Sequence, residues 1–547
     1  PGDPRAREPG RGDLPRGGRG GLVAPDVARG VPARRAEGRV SRAPEPVPDL
    51  DWGPERARAF AGGVTDIWTD VLSRLPELPV RGRWSAEEVR SAVAIPVPEE
   101  PMPEAELLAY LREVALSWST YPGHPRFLAY ISGAGTVPGA AVDLLAAGLN
   151  MNVGGWQLSP SATEIELALT RFFAREVFGL PEGSGGLITS GGAMATFVAL
   201  KVARDHRAGW DVRNLGVAAG PQLGLYLSTE THVVSDRAAD MLGIGWANVR
   251  RVPVDEGFRM RVDELEAAIA RDRAAGVRPF AVVGTAGTVS TGAVDPLERL
   301  AEVCEREGLW FHVDAAYGGP AMLAEDLRPL MAGIERADSI AFDPHKWLST
   351  PLTGGCVLLR DASALPASFD ADPAYVHQDR ERTGAGVDLG RWGPQFSRGF
   401  WALKVWVSLL AHGRRAYGRR ISHDAALARY LGERVAEHPR FELACPVGLS
   451  ICCFRYVPPE LHGPTADQAL LNQLNRQVLR LVQGRGRCMP SGTVLRGAFA
   501  IRACYINPRT AAADVDALAE EVERCGALVW ERMQGRIDAQ EAQMDAQ

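Results

Sequence analysis

Short apolar runs alternate with helical stretches through the middle of the chain, and this alternation constrains the fold more than any other feature. The runs 224–228, 280–284, 309–314 and 338–342 are rich in β-forming residues, and helical stretches such as 262–274 lie between them. Strand–helix alternation of this kind is typical of a mostly parallel sheet flanked by helices. The sequence therefore predicts an α/β fold.

Composition excludes several other classes of protein. Of 547 residues, 46% are apolar and 23% are charged, and the net charge of −6 gives no indication of a nucleic-acid or anionic-membrane partner. The longest apolar runs, of about ten residues, are too short to cross a bilayer. The chain start resembles no secretory signal, and the eight cysteines include no CxxC pair, so we expect neither disulfides nor a metal site. We therefore expect a soluble, cytoplasmic protein.

Composition also divides the chain into four predicted regions. Residues 1–50 hold nine Gly, nine Pro and ten Arg, so little apolar surface is available to offset the entropy of ordering, and we expect a disordered arm. Residues 51–135 carry helical periodicity, residues 136–418 contain the alternation, and residues 419–547 have the pattern of a smaller α+β domain. Ligands of parallel sheets bind beyond the carboxyl ends of the strands, so the informative residues follow the apolar runs.

Lysine is rare in this chain. Only Lys201, Lys346 and Lys404 occur among the 61 basic residues, so any chemistry that needs a lysine has three candidates. Lys346 follows the run 338–342, and Trp347 beside it would partly desolvate the amine and favour its neutral, nucleophilic form. The alternative is a surface lysine in a turn. The other two lysines lie in helical stretches among apolar residues, and we interpret both as structural.

Asp314 ends another predicted strand. A buried carboxylate is costly unless a cation pairs with it, and the protonated nitrogen of a pyridine ring would be a suitable partner. Ala316, two residues later, leaves room for a flat ring. A capping aspartate at a strand–loop junction is the alternative interpretation.

Two further positions complete a pattern. Gly192 and Ala193 lie where a helix begins after an apolar run, and exposed backbone N–H groups at a helix start favour a phosphate. His232 follows the run 224–228, where its imidazole could lie against a cofactor ring, although a single histidine is more often structural.

Taken in chain order, Gly192-Ala193, His232, Asp314 and Lys346 resemble the pattern of the group II PLP-dependent amino-acid decarboxylases. The resemblance extends from about residue 52 to about residue 532. The motifs that carry it are His124-Pro125 with Phe127 and Ala129-Tyr130, Ser159-Pro160 with Thr163-Glu164 and Glu166, Thr285-Ala286-Gly287-Thr288, His312-Val313-Asp314-Ala315-Ala316-Tyr317, Asp343-Pro344-His345-Lys346-Trp347, and Arg398 with Ala402-Leu403-Lys404.

The resemblance implies a catalytic role for three residues. Lys346 matches the lysine that forms a Schiff base with pyridoxal 5′-phosphate (PLP), Asp314 the partner of the pyridine nitrogen, and His232 the residue stacked on the ring. The other positions implied are Ala316 on the opposite ring face, Gly192 and Ala193 at the phosphate, Thr285 and His345 near the phosphate and the bound substrate, and Tyr130 and Trp156 at the border of the substrate pocket.

The resemblance also implies the assembly. Members are homodimers of fold type I, with active sites at the interface and an N-terminal segment, here residues 51–135, that wraps the partner. An amino acid is the small-molecule substrate. Because no Arg or Lys stands visibly where it would bind a side-chain carboxylate, we expect an aromatic or hydrophobic amino acid rather than an acidic one.

One departure from the family concerns the product. Decarboxylating members commonly carry a tyrosine on a mobile loop, which corresponds here to residues 376–397, and Leu389 takes that place. No tyrosine occurs between Tyr375 and Tyr417. Members with Phe at that position release an aldehyde by oxygen-dependent decarboxylation and deamination. We expect simple decarboxylation, with His377, His232 or water as proton donor, and keep the aldehyde-forming reaction as the alternative.

Two less favoured interpretations remain. Other fold type I PLP enzymes, such as aminotransferases and cysteine desulfurases, lack this His-Lys pair together with the Asp-Ala-Ala-Tyr run. A non-enzymatic role would require an intact Lys346 that binds no chromophore.

Overall fold

The structure is a computed structural model that describes residues 50–371, 386–463 and 467–535. Residues 1–49 of the predicted arm at 1–50, together with His377 and most of the predicted loop, lie outside the described residues. Among the described helices, none is both long and apolar enough to cross a membrane.

The described elements alternate between helix and strand through the central part of the chain. The helices are α1 Pro54–Arg74, α2 Ala86–Val93, α3 Glu104–Ser117, α4 Val137–Leu149, α5 Pro160–Arg171, α6 Gly192–Arg207, α7 Val212–Leu215, α8 Val234–Met241, α9 Val262–Ala274, α10 Leu297–Glu307, α11 Ala364–Phe369, α12 Ala402–His412, α13 Arg414–Glu437, α14 Gln468–Arg485 and α15 Ala512–Met533. The strands are β1 Phe127–Leu128, β2 Gly185–Thr189, β3 Leu223–Ser228, β4 Val249–Val252, β5 Arg278–Thr285, β6 Trp310–Asp314, β7 Ser339–Phe342, β8 Gly355–Leu359, β9 Phe441–Leu443, β10 Ile451–Tyr456, β11 Met489–Leu495 and β12 Ala498–Cys504.

The larger sheet of the described residues has seven strands in the order β2-β8-β7-β6-β5-β3-β4. Strands β7, β6, β5, β3 and β4 run parallel to one another, whereas β8 is antiparallel to both β2 and β7. Helix α6 packs across β5 to β8, and α10 packs on β5 and β6. The prediction of a mostly parallel sheet flanked by helices, as in fold type I, is therefore confirmed.

The central strands are apolar because helices cover them. Every residue of β3, β6 and β7 is buried, and their Leu, Ile, Val and Phe side chains belong to one continuous core. Strands of parallel sheets are typically apolar along their whole length for this reason. The strand ends are therefore the places where polar side chains can meet.

The smaller sheet of the described residues has five strands in the order β1-β11-β12-β10-β9. Strands β9 to β12 are antiparallel, and α13, α14 and α15 pack with them around a second core. Strand β1 comes from far upstream and pairs in parallel with β11, so that Phe127 lies opposite Met489. This pairing brings the segment that follows β1 next to the smaller sheet.

Candidate active site

The carboxyl ends of four parallel strands meet at one edge of the larger sheet. Strand β3 ends at Ser228, β5 at Thr285, β6 at Asp314 and β7 at Phe342, and Thr285 lies opposite Asp314 in the register. A cavity of about 370 Å³ opens beyond this edge. It is the crevice in which parallel α/β sheets bind their ligands.

Lys346 enters the cavity from a tight turn after β7. Pro344 interrupts the strand, and the backbone N–H of Lys346 donates to the carbonyl oxygen of Asp343 at 2.9 Å. The Lys346 amine lies 3.0 Å from Oδ2 of the buried Asp343 and lines the cavity. The carboxylate therefore holds the amine in place at the cavity wall.

The residue after the lysine anchors this turn. Trp347 is buried, and its ring stacks on Tyr317 with centroids 5.0 Å apart and planes tilted by 21°. The indole N–H of Trp347 donates to Oδ2 of Asp424 at 3.0 Å. Stacking and the hydrogen bond leave the backbone beside Lys346 little freedom.

Asp314 is buried at the end of β6 and also lines the cavity. Its Oδ1 accepts the backbone N–H of Ala316 at 3.1 Å. Within the described part of the chain, this is the one hydrogen bond that the Asp314 carboxylate makes. The carboxylate can thus accept a further N–H from the cavity. Ala316, which also lines the cavity, leaves open space beside it.

His232 also lines the cavity, from the segment between β3 and α8. Nδ1 accepts the backbone N–H of Val234 at 3.2 Å, which fixes the plane of the ring. Partial burial lowers the pKa of His232, and the charge of Lys346 acts in the same direction against the opposing effect of Asp314. The imidazole is therefore neutral at pH 7 and suited to packing against a flat ring.

The start of α6 also lines the cavity. The helix begins without a side-chain cap, and Gly192 and Ala193 line the cavity. A Cβ on Gly192 would lie 2.6 Å from Oδ2 of Asp343, so a larger residue would clash there. Thr285 faces the same region, and its hydroxyl lies 3.1 Å from that of Thr231. Uncapped N–H groups at a helix start can hold a phosphate.

The comparison with protein families identifies the family of the chain. The model of the pyridoxal-dependent decarboxylase conserved domain matches residues 87–457. The chain belongs to this family. It is a PLP-dependent amino-acid decarboxylase.

The similarity to known relatives extends over most of the decarboxylase. An aromatic-L-amino-acid decarboxylase of Bacillus atrophaeus is 34% identical over 87% of this chain and 98% of the relative. A cysteine sulfinic acid decarboxylase of Mus musculus is 32% identical over 88% and 99%, and a phenylacetaldehyde synthase of Arabidopsis thaliana is 29% identical over 83% and 93%. The crystal structure of Oryza sativa TDC with PLP and tryptamine matches with a TM-score of 0.81 at 27% identity, over 87% of this chain and 99% of that chain.

The residues around the cavity fit PLP. Lys346 offers an amine to the aldehyde, Asp314 an acceptor to the ring nitrogen, and His232 a flat face to the ring. The uncapped start of α6 offers N–H groups to the phosphate. Asp343 alone is unexpected at such a site, because Oδ1 of its buried carboxylate has no hydrogen-bond partner among the described residues.

Three sequence-predicted residues lie away from the cavity lining in the decarboxylase. His345 is turned aside, with Nδ1 2.6 Å from the carbonyl oxygen of Gly354 and Nε2 4.0 Å from Oδ2 of Asp343. The indole N–H of Trp156 donates to Glu164 at 2.9 Å. Leu389 is fully buried in the main core. Of the three predicted substrate-pocket residues, only Tyr130 lines this cavity.

The two remaining lysines have structural partners. The amine of Lys201 lies 2.5 Å from Oδ2 of Asp205, and that of Lys404 lies 2.9 Å from Oδ2 of Asp143. Neither lysine lines the cavity. Of the three lysines, Lys346 is thus the one that the fold brings to the cavity.

Sequence reasoning missed a cation on the far wall. Arg502 on β12 is 3% exposed and lines the cavity. Its Nη1 donates to the carbonyl oxygen of Tyr130 at 2.8 Å and to Oγ of Ser491 at 3.3 Å. Nε and Nη2 are buried without a partner in the described part of the chain. The signal was the one arginine inside the apolar stretch 498–504, where a charge is expensive to bury.

Proposed function

We propose that the decarboxylase acts on an aromatic or hydrophobic L-amino acid and releases the corresponding amine and CO2. The observation that carries this proposal is the apolar part of the cavity lining, to which Ile131, Val234 and Val289 contribute. Such side chains favour an apolar substrate group by removing it from water. The similarity to the Bacillus atrophaeus enzyme supports the same substrate class.

The roles of the individual residues follow from what they can donate or accept. PLP supplies an electron sink that stabilises negative charge on the substrate carbon after CO2 leaves. Lys346 would bind the cofactor covalently, and Asp314 would keep a proton on the ring nitrogen. His232 and Ala316 would lie against the ring, Gly192, Ala193 and Thr285 would bind at the phosphate, and His345 would act from beside Asp343.

Product analysis tests this proposal directly. The purified decarboxylase, loaded with PLP, is incubated separately with each of the twenty amino acids, and CO2, amine, aldehyde and hydrogen peroxide are recorded. We expect stoichiometric CO2 and amine from an aromatic amino acid. Turnover confined to acidic amino acids would overturn the assignment of the substrate class.

Arg502 favours a second candidate, a substrate with an acidic side chain. Its two unpartnered buried N–H-bearing nitrogens would bind a carboxylate or sulfinate through charge-assisted hydrogen bonds. The similarity to the cysteine sulfinic acid decarboxylase supports this candidate. Steady-state kinetics distinguish the two candidates. The quantity to compare is the ratio of kcat/KM for cysteine sulfinate or glutamate to kcat/KM for an aromatic amino acid.

The aldehyde-forming reaction is the third candidate. It is favoured by the absence of a tyrosine between Tyr375 and Tyr417 in the sequence. The similarity to a phenylacetaldehyde synthase supports it. Oxygen uptake with release of aldehyde, ammonia and hydrogen peroxide would identify this reaction, and amine release without oxygen uptake would exclude it.

We also propose a homodimer. Leu144, Leu145 and Leu149 on α4 and Leu410 on the neighbouring α12 are each more than half exposed. A cluster of exposed leucines of this kind is typical of a surface that a partner covers. Sedimentation at micromolar concentration should give a dimer, and a double substitution of Leu144 and Leu145 by Glu should give a monomer.

A cytoplasmic location is part of the same proposal. All eight cysteines lie among the described residues as buried free thiols, which suits a reducing compartment. Cell fractionation with an antibody against the chain tests this location.

A further inference from the structure

One edge of the larger sheet leads directly into the start of α6. Strand β2 is the last strand in the order of this sheet, and among the described strands it pairs with β8 alone. It ends at Thr189, and residues 190–191 connect it to Gly192, the first residue of α6, which lines the cavity. A shift of β2 would therefore move the N–H groups at the start of α6.

Two side chains hold the backbone of Ile188 on this edge. In an antiparallel pair, alternate residues turn both their N–H and their C=O away from the partner strand. The N–H of Ile188 donates to Oε1 of Glu166 at 2.9 Å, and its carbonyl oxygen accepts from Nη2 of Arg398 at 2.8 Å. The two side chains thus take the place of a neighbouring strand beside β2.

Glu166 and Arg398 also form an ion pair in the interior. Nη2 of Arg398 donates to Oε1 of Glu166, and the two side chains are 1% and 0% exposed for Arg398 and Glu166 respectively. Oε2 of Glu166 and Nε of Arg398 have no hydrogen-bond partner among the described residues. A buried pair of this kind contributes little stability relative to apolar side chains of similar volume. Its distinctive effect is to fix the backbone of Ile188.

The pair is itself fixed by segments other than β2. Glu166 lies on α5, which packs on β2. The backbone N–H of Arg398 donates to Oδ1 of Asn152 at 3.0 Å, and its carbonyl oxygen accepts the N–H of Val153 at 2.8 Å. Both side chains therefore reach Ile188 from backbones that are held independently of it.

We propose that Glu166 and Arg398 are positioning residues for the phosphate of PLP. They hold Ile188, and through it the turn into α6, so that the N–H groups at the helix start meet the phosphate. Neither residue lines the cavity, so both act through the backbone of β2. The pair therefore supports the part of the cofactor affinity that comes from the phosphate and not the part that comes from the ring. The inference rests on the proposed placement of the phosphate at α6.

A comparison of two probes isolates the phosphate. The full-length chain, freed of PLP, is titrated by calorimetry with pyridoxamine 5′-phosphate and with pyridoxamine, neither of which forms a Schiff base with Lys346. The ratio of the two dissociation constants reports the phosphate contribution, because the contacts of the ring cancel. In the wild type we expect the phosphate to improve binding about 100-fold or more, which corresponds to two charge-assisted hydrogen bonds.

The double variant Glu166→Met/Arg398→Met removes both supports of Ile188 and leaves neither charge unpaired in the interior. We expect the ratio to fall about tenfold or more, with less than about threefold change in the affinity for pyridoxamine. Arg398→Lys is the conservative variant, because one ammonium group can donate to both oxygens that Nη2 now reaches. Its ratio should stay within about threefold of the wild-type ratio.

The double variant Glu521→Met/Arg485→Met is the matched control. The Glu521 side chain on α15 is fully buried and pairs with Arg485 on α14 at 2.7 Å, and neither residue lines the cavity. This control removes a buried ion pair from beside the smaller sheet, so the ratio should equal that of the wild type. The thermal unfolding transition of each variant checks its folded state.

Three results would overturn the inference alone. These are a wild-type ratio in the folded Glu166→Met/Arg398→Met variant, equal losses of affinity for both probes, or an equal fall of the ratio in the control. If the double variant does not fold, Arg398→Met decides, because burial already raises the pKa of Glu166 and its carboxyl group can then take up a proton. Equal affinity of the wild type for both probes would instead overturn the placement of the phosphate, and this inference with it.

Discussion

The two walls of the cavity are built in different ways. The wall proposed to hold the cofactor consists of residues at the ends of consecutive strands, such as Asp314 after β6 and Lys346 after β7. The opposite wall joins Tyr130 to Ser491 and Arg502, across a separation of 361 residues between the first two. One wall therefore depends on local segments of a single sheet, and the other depends on pairing between distant parts of the chain.

This difference predicts how the walls respond to substitution. Residues of the cofactor wall act on the chemistry common to every substrate, so their loss should lower turnover for all amino acids. Residues of the far wall are proposed to contact the variable part of the substrate, so their loss should change selectivity. Substitutions on the two walls, ordered by expected effect, test the division.

The largest effect is expected from Lys346→Ala. It removes the amine that binds the cofactor, so turnover should fall by several orders of magnitude for every amino acid. The visible absorbance of the lysine adduct and its reduction by borohydride should both disappear. Lys404→Ala, which alters a lysine paired with Asp143, is the control and should keep the adduct. An adduct that persists on another lysine would contradict the assignment.

Asp314→Asn should come next. The amide cannot keep a proton on the ring nitrogen, so we expect PLP to stay bound while turnover drops by roughly 10²–10⁴, the range for one preorganised charge. Absorbance and single-turnover kinetics measure the two quantities separately. A fully active Asn variant would rule out the electron-sink role of this carboxylate.

Arg502→Gln tests the far wall. The loss of charge-assisted hydrogen bonds should lower kcat/KM for an acidic substrate about 10–100-fold, with less than about threefold change for an aromatic one. Arg455→Gln on β10 is the control, because Arg455 pairs with Glu442 in the same sheet and lies outside the cavity. Equal losses for both substrate classes would indicate that Arg502 only positions Tyr130.

The smallest effect concerns the anchor of the cofactor wall. Burial raises the pKa of Asp424 to about 7, against the opposing effect of Arg420. The folded state thus holds this proton more tightly than the unfolded chain, whose value is about 3.9. The stabilisation from this proton is full below pH 4 and is lost as pH rises to 7, by at most about 1.4 kcal/mol per pH unit.

Asp424→Asn isolates that contribution. Between pH 5 and pH 7 the wild type should lose up to about 2 kcal/mol of unfolding free energy relative to the Asn variant. Urea unfolding at both pH values, followed by Trp fluorescence, measures the difference. A difference that does not change with pH would show that Asp424 stays ionised beside Arg420 and Trp347.

The sequence located candidate site residues best where these residues follow a predicted strand. Asp314, His232, Gly192 and Lys346 each follow or begin an element that hydrophobic patterning locates, and the structure brings all four to one cavity. Leu389 shows the limit of the same reasoning, because its alignment with a loop position said nothing about its burial in the core.

Local patterning determined the parallel sheet, because buried parallel strands are apolar throughout and only their ends can carry polar groups. Local patterning also singled out Lys346 as the candidate lysine, because the sequence has three lysines and this one follows a predicted strand. The tertiary structure decided the far wall, because Arg502 reaches the cavity only through the pairing of β1 with β11 and of β11 with β12. Contacts between segments so far apart depend on how two sheets dock, and no periodicity within either segment encodes that docking.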